Sequence, residues 1–340
     1  MFESLVTSWI IFAVSAIIIA MAGTHLSRLA DLLADRTGWG EALVGGLLLA
    51  GVTSLPDFTA TLTAAADSYA ELAMSNIMGS LAVNIAFLAV GDIIYRKANL
   101  EHAAASSLNL NQAALLIILL AIPLIAMATP EYELFGIHPA SLLLILTYLL
   151  GYRLVQNSLE RPMWLPRHTE HTVEDRPDTS QGSHHSLSRL WIAFTLFALI
   201  ISASGWSLMH AAETITDRTA LSQTAVGSLF TAVFTSLPEL VTTIAAIRFG
   251  ALTLAVSNIV GTNCFNVLVI AGADIAYRNG SIYHAITTQQ LLWGLVTILM
   301  SAVLLLGLLQ RERYGIGRIG FESFFILLIY LSVACYTLLA

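Results

Sequence analysis

Charge is what this chain has least of. Charged residues fill 11% of its 340 positions and hydrophobic ones 57%. That balance excludes a soluble globule, since a fold in water carries about a quarter of its residues as charged ones. Cysteine is nearly absent. Cys264 and Cys335 are the two, both inside apolar runs, so neither a disulfide framework nor a zinc site is expected and both read as small membrane-embedded hydrophobes. No nucleophile–base pair, phosphate loop or zinc motif is evident, which argues against an enzyme; no cofactor and no nucleic-acid partner is expected. The apolar runs are continuous, not alternating, which excludes a β-barrel. Proline is scarce too, at 8 residues, so a proline inside an apolar run is informative.

What the chain has in quantity is apolar length. Ten runs, at 8–33, 40–66, 70–94, 111–129, 138–156, 190–214, 221–247, 251–276, 287–309 and 320–339, are each long enough to cross a hydrocarbon core of roughly 30 Å. The expected fold class is an all-α polytopic membrane protein with ten transmembrane helices. The first run lacks a basic leader and a small-residue cleavage site and is expected to be a retained helix. Counting loops by these runs, 13 of the 15 lysines and arginines fall on one side, and Arg218 and Arg278 on the other. The basic side is cytoplasmic by the positive-inside rule, which puts both termini outside the cytoplasm. The net charge of −7 sits largely in loops and says little about partners. The polar segment 157–188 is expected to be a flexible cytoplasmic linker. It is too short for a separate domain, and its His168, His171, His184 and His185 fit no metal motif. The fourth, fifth, ninth and tenth runs carry little polar chemistry and read as scaffold, with Pro123 kinking the fourth.

The chain also repeats itself. A shift of 182 residues superposes 23–96 on 205–278 without a gap, with 28 of those 74 positions identical. The matches are specific: Asp35-Arg36-Thr37 returns as Asp217-Arg218-Thr219, Val44-Gly45 as Val226-Gly227, and Tyr95-Arg96 as Tyr277-Arg278. Each copy covers three runs and each half of the protein holds five. An odd number of crossings inverts the second half, the arrangement of secondary transporters whose sites form at the midplane from interrupted helices. The expected organisation is a first half over 1–156, the linker 157–188, and a second half over 189–340.

The chemistry gathers where both copies break the membrane rules. Thr53-Ser54-Leu55-Pro56-Asp57 and Thr235-Ser236-Leu237-Pro238-Glu239 each bury a proline and an acid in an apolar run. A charge at bilayer depth costs roughly 3 kcal/mol or more, so such an acid is a functional candidate. Proline removes a donor and is expected to free the carbonyls near Val52 and Phe234. The next run of each copy brings Ser75-Asn76-x-x-Gly79-Ser80-x-x-x-Asn84 and Ser257-Asn258-x-x-Gly261-Thr262-x-x-x-Asn266. Ser80 and Asn84 share one helix face, as do Thr262 and Asn266, while Gly79 and Gly261 allow close helix approach. The symmetry predicts that the four faces converge on one cavity lined only by oxygen, a hard set that suits Ca²⁺ and Na⁺ and offers nothing to soft metals. Two carboxylates neutralise one Ca²⁺ or two Na⁺, which makes the two ions competitive. Asp92 and Asp274, each followed within four residues by Tyr-Arg, read as interfacial anchors, with an ion-entry role as the alternative. His25, Arg28, Asp31, His210 and Glu213 read as snorkelling or gate contacts.

The duplicated Thr-Ser-Leu-Pro-acid and Asn-Ile-x-Gly-Ser/Thr-x-x-x-Asn motifs resemble the α-repeats of the sodium/calcium exchanger branch of the cation/calcium exchanger superfamily. The resemblance covers both repeats and the ten-run layout. It implies Asp57 and Glu239 as central ion ligands, with Thr53, Thr235, Ser54, Ser236, Ser80, Thr262, Asn84 and Asn266 completing the shell. It also implies that the first and sixth spans slide across the other eight. This chain departs from the family pattern with Val52 and Phe234 in place of glycines, with Asp57 in place of Glu, and with Asn266 where some members carry a third acid.

The expected activity is secondary active antiport of Ca²⁺ against Na⁺ by alternating access. A Ca²⁺/H⁺ or other divalent-cation/H⁺ exchanger is the alternative, using the same carboxylates as proton acceptors. The neutral oxygens beside each acid favour Na⁺, because a proton needs only a carboxylate of suitable pKa. From another class, a cation channel is disfavoured because inverted repeats serve alternating access and not a continuous pore. A non-transporting scaffold gives no reason to keep two buried acids. The lack of targeting segments favours a prokaryotic inner membrane, and a monomer in the bilayer is expected.

Overall fold

Among the described residues every regular element is a helix, and one isolated bridge joins Leu134 to Ile137. A bilayer enforces this, because a spanning segment must satisfy its backbone groups internally. The structure, a computed structural model, describes residues 4–37, 50–51, 53–95, 97–132, 134, 136–160, 165, 167, 186–313, 315 and 319–339. The first half comprises α1 (Leu5–Thr37), α2 (Leu55–Ala66), α3 (Ala70–Ile94), the short α4 (Leu100–Ala103), α5 (Ser107–Ala128) and α6 (Pro139–Glu160). The second comprises α7 (Leu187–Arg218), α8 (Gln223–Thr235), α9 (Leu237–Phe249), α10 (Leu252–Ala276), α11 (Thr288–Gln310) and α12 (Phe321–Leu339). Eight of these are long and apolar enough to cross a membrane, and α8 with α9, bent by 44°, makes a ninth if the pair is counted as one span. The run predicted at 40–66 is seen as its second part, α2. Residues 38–49 and Val52, and most of the 157–188 linker, lie outside the described residues.

The duplication extends beyond the stretch legible in sequence. The first residues of α7, α9, α10, α11 and α12 fall 181 or 182 positions after those of α1, α2, α3, α5 and α6. The tertiary hydrogen bonds repeat with the same offset, and reciprocally. Asp92, at the end of α3, accepts from Leu100 N–H (2.7 Å) and from Gly320 N–H (2.7 Å) ahead of α12. Asp274, at the end of α10, accepts from Ile282 N–H (3.3 Å) and from His138 N–H (2.8 Å) ahead of α6. Each half therefore secures the entry to the other half's last helix. Both acids are buried, at 1% exposure, and so they are not the interfacial anchors their Tyr-Arg neighbours suggest. Their oxygens take up backbone donors at element ends that no helix can satisfy.

Helices α3 and α10 form the centre, with α3 buried along nearly its whole length. Peripheral helices keep one apolar face outward, such as Val6, Ile10, Val14, Ile17 and Met21 on α1. That stripe suits lipid, which is as apolar as a protein core. α5 runs through Pro123 as one helix. α1 and α7 lie along each other across the outside of the breaks. Gly23 of α1 meets the Pro238 ring, and Gly205 of α7, its repeat mate, meets Thr59 and Pro56. A side chain at either glycine would hold these two helices away from the proline breaks.

Candidate cation-binding site

The prolines act by starting helices, not by kinking them. Pro56 and Pro238 occupy the first turn of α2 and α9, where a missing N–H costs nothing because that donor has no intrahelical partner. Asp57 and Glu239 follow in the same turn, at the positive end of the helix dipole, which favours a buried negative charge. Ahead of the second break, residues Val226–Thr231 form a π-helix, a wide turn common at functional sites and not signalled by the sequence pattern. The Thr235 hydroxyl donates to the Thr231 carbonyl at 2.8 Å, and Thr53 to that of Ala50 at 3.2 Å. The threonines thus hold carbonyls in the turn ahead of each break, at Ala50 and Thr231. Val52 lies outside the described residues.

All ten sequence-predicted ligands are buried, at 1% exposure or less, but they do not converge symmetrically. Around Asp57 the expected faces meet. Ser80 of α3 donates to Oδ1 at 2.6 Å, Thr235 of α8 to Oδ1 at 2.5 Å, and Asn266 of α10 to Oδ2 at 3.0 Å. Of the equivalent partners of Glu239, only Thr53 acts on it, and the others are drawn elsewhere. Thr53 and Thr262 lie 3.4 Å apart, hydroxyl to hydroxyl. Asn84 donates to Asn263 Oδ1 at 2.9 Å, and Asn263 itself donates to the Leu81 carbonyl at 2.9 Å. Asn263 is the symmetry breaker, and nothing in the motif flagged it, because its repeat mate is Leu81. The two carboxylates lie near enough for their charges to interact.

The polar atoms left over define the chemistry. Both Glu239 oxygens, the Oδ1 of Asn84 and of Asn266, and the Oγ of Ser54 and of Ser236 are buried without a hydrogen-bond partner among the described residues. All six are oxygens, and all belong to predicted ligands. A buried carboxylate with no partner costs several kcal/mol in low dielectric, and each unmet neutral group roughly 1–3 kcal/mol. Unpartnered oxygens of this kind are the donors that hard cations take as ligands. Hydroxyl and amide groups can both donate and accept, so Ser80, Thr235 and Asn266 can brace Asp57 by donating or turn oxygen toward an ion. Outside this cavity Asn76 donates to Thr61 at 2.9 Å and Asn258 to Thr242 at 3.1 Å, fixing α2 on α3 and α9 on α10.

Another buried cluster was not legible in sequence. Glu101 of α4 lies among Asp92, Glu322 and Ser323, and its Oε2 has no hydrogen-bond partner among the described residues. Its repeat mate is Tyr283, which meets Ser141 as Glu101 meets Ser323. Burial, then the Asp92 and Glu322 charges, hold the Glu101 carboxyl well above its usual range. The folded protein therefore binds this proton more tightly than the unfolded chain. Glu101's contribution to stability is present below the ordinary glutamate pKa and lost as pH rises through the folded value. Glu101→Gln is expected to melt higher than wild type at pH 8, by about 2–4 °C for each kcal/mol regained. The difference should close toward acid pH, which thermal melts across pH would show.

Two buried acids with unpartnered oxygens around them stand at the helix breaks of a membrane bundle, a donor set of the kind cations take. A family model described as sodium/calcium exchanger protein matches residues 7–154 and 189–339. The chain belongs to that family, within the cation/calcium exchanger superfamily of antiporters. A putative antiporter CaxA from Alkalimonas amylolytica is 28% identical over 273 residues, covering 80% of each chain. Among solved structures, the H⁺/Ca²⁺ exchanger CAX shares the fold with a TM-score of 0.68 at 14% identity, over 98% of this chain and 86% of its own. The sodium-calcium exchanger NCX_Mj shares it with a TM-score of 0.62 at 16% identity, over 98% of this chain and 99% of its own.

Proposed function

We propose that the protein exchanges Na⁺ for Ca²⁺ across a prokaryotic inner membrane by alternating access, as a monomer. The ten spans form two inverted five-helix halves, 1–156 and 189–340, joined by a cytoplasmic linker over 157–188. The orientation rests on the basic-residue split, with both termini outside. The observation that carries this reading is the set of six unpartnered buried oxygens in two oppositely repeated motifs. Hard oxygen donors with two carboxylates suit Ca²⁺ at roughly 2.3–2.6 Å. Na⁺ is favoured as counter-ion because the neutral Asn and Ser oxygens beside the acids can coordinate it and would be superfluous around a proton. Gly23 and Gly205, which let α1 and α7 rest on the proline breaks, support those two helices as the sliding pair.

Ion flux tests this directly. In Ca²⁺-loaded proteoliposomes at equal pH on both sides, external Na⁺ is expected to release Ca²⁺, while K⁺ and choline are not. Release driven by a pH gradient alone would replace Na⁺ with H⁺ as the coupling ion and assign the neutral oxygens to Ca²⁺.

A further inference from the structure

A separate constellation lies away from the oxygen cage. Asp67 follows the last residue of α2, while His210 and Glu213 lie one turn apart on α7. His210 Nδ1 sits 2.8 Å from Glu213 Oε2 and 3.3 Å from Asp67 Oδ2. The three ligand atoms lie within 4.8 Å of one another. Glu213 is 7% exposed, and its Oε1 has no hydrogen-bond partner among the described residues. Trp206 packs edge-on against the His210 ring at 4.4 Å between centroids, which fixes the imidazole. Tyr69 donates to Asp217 at 2.7 Å beside the group. The sequence repeats only one member of the group. A shift of 182 positions puts the acid Asp31 in place of Glu213, but Arg28 in place of His210 and Phe249 in place of Asp67.

We propose that Asp67, His210 and Glu213 form a site for a first-row transition dication of the Zn²⁺ class, bridging α2 to α7. One imidazole and two carboxylates make a borderline donor set. It differs in kind from the all-oxygen cage, since Ca²⁺ and Na⁺ take oxygen and have no use for imidazole nitrogen. Bond lengths of about 2.0–2.2 Å in a tetrahedron separate ligand atoms by roughly 3.3–3.6 Å. The two His210 spacings, 2.8 and 3.3 Å, lie at or just under that range, and the two carboxylates lie within 4.8 Å of each other. The exposure of Asp67 leaves the fourth position to water. On binding, the metal displaces any proton held between His210 and the two carboxylates. The orientation proposed above puts this site on the extracytoplasmic face. A metal there would tie the sliding helix α7 to the end of α2, a consequence that rests on the exchange reading, whereas the site itself does not.

The test uses the full chain purified in detergent, titrated with Zn²⁺ by calorimetry and with Co²⁺ by visible absorption. Wild type is expected to bind one metal ion and to show the d–d bands of four-coordinate Co²⁺. His210→Ala and Asp67→Asn are each expected to weaken binding by at least about 100-fold, beyond the roughly 10–100-fold that loss of an outer-shell partner costs. Asp57→Asn is expected to bind Zn²⁺ as wild type does, which separates this site from the cage. Asp67 is exposed, so its variant serves as the folded control should His210→Ala aggregate. Wild-type binding no stronger than that of Asp67→Asn would overturn the proposal and leave the triad as an ion pair only. In proteoliposomes, external Zn²⁺ is expected to slow Ca²⁺ release by wild type and not by Asp67→Asn. Absence of any wild-type flux would count against the exchange reading, while the detergent titration would still decide the metal site.

Discussion

Asp57→Asn, and separately Glu239→Gln, are expected to abolish Ca²⁺ flux while leaving folded protein. Either change leaves one carboxylate facing a divalent ion in a site closed to water. A unit charge pair at 4 Å is worth about 4 kcal/mol at an effective dielectric of 20, which is close to a thousandfold in affinity. The two variants should differ in stability. Asp57 accepts three hydrogen bonds, from Ser80, Thr235 and Asn266, and an amide there turns two of its own donors on them. Glu239 has only Thr53 acting on it, with neither oxygen in a full hydrogen bond among the described residues, so Gln removes a poorly paired buried charge and should melt at or above wild type. Asp92→Asn and Asp274→Asn give the contrast. Their oxygens hold backbone N–H groups at the entries to α12 and α6, at roughly 1.5–3 kcal/mol for a charged hydrogen bond. These two should lose thermal stability and retain flux. Ca²⁺ efflux from proteoliposomes, with melting temperatures on the same samples, measures both. Wild-type flux in either Asp57→Asn or Glu239→Gln would remove the cage from the transport path.

The second large effect is steric. Gly79→Val is expected to yield no folded protein, and Gly79→Ala to lose several degrees of melting temperature together with Ca²⁺ affinity. A methyl at Gly79 would stand 2.5 Å from Ser228 Cα, 2.6 Å from the Ser228 carbonyl oxygen and 2.9 Å from Ala232 Cβ. Two of those atoms belong to the backbone of the π-helical turn, which no rotamer change can relieve. Overpacking of this kind costs roughly 1–3 kcal/mol and sometimes more. It also pushes α8 off α3, and with α8 goes Thr235, a donor to Asp57. Gly261, the repeat mate, faces only the Gln112 Nε2 end at 3.2 Å, which can swing aside. Gly261→Ala should therefore fold and melt near wild type. Size-exclusion profiles and melting curves of the three variants suffice. Equal damage at Gly79 and Gly261 would mean that the contact with Ser228 does not set the spacing of α3 and α8.

The duplication was legible over 23–96 and 205–278 and not over the rest of the two halves, although α5, α6, α11 and α12 keep the same register. The reason lies in the solvent. Lipid-facing and scaffold positions accept any apolar side chain, so the outer helices carry the repeat in their boundaries and hydrogen bonds and not in their letters. Reading Asp92 and Asp274 as interfacial anchors failed for a related reason. Tyr-Arg beside an acid marks depth in the membrane, but it does not say whether the carboxylate turns toward headgroups or inward to cap a neighbouring loop.

By itself the sequence determined the environment, the class of fold and the family. Continuous apolar runs leave a chain no alternative to spanning helices, and acids and prolines at bilayer depth mark the interruptions. Only the tertiary structure decided how the polar residues are shared. Asn263 draws Asn84 away from Glu239, three donors gather on Asp57, and Asp67 meets His210 across 142 intervening positions. Hydrogen bonds are short-ranged and exclusive. Which of two equivalent partners a buried amide takes depends on ångström-scale packing of helices that a repeat in the sequence leaves identical.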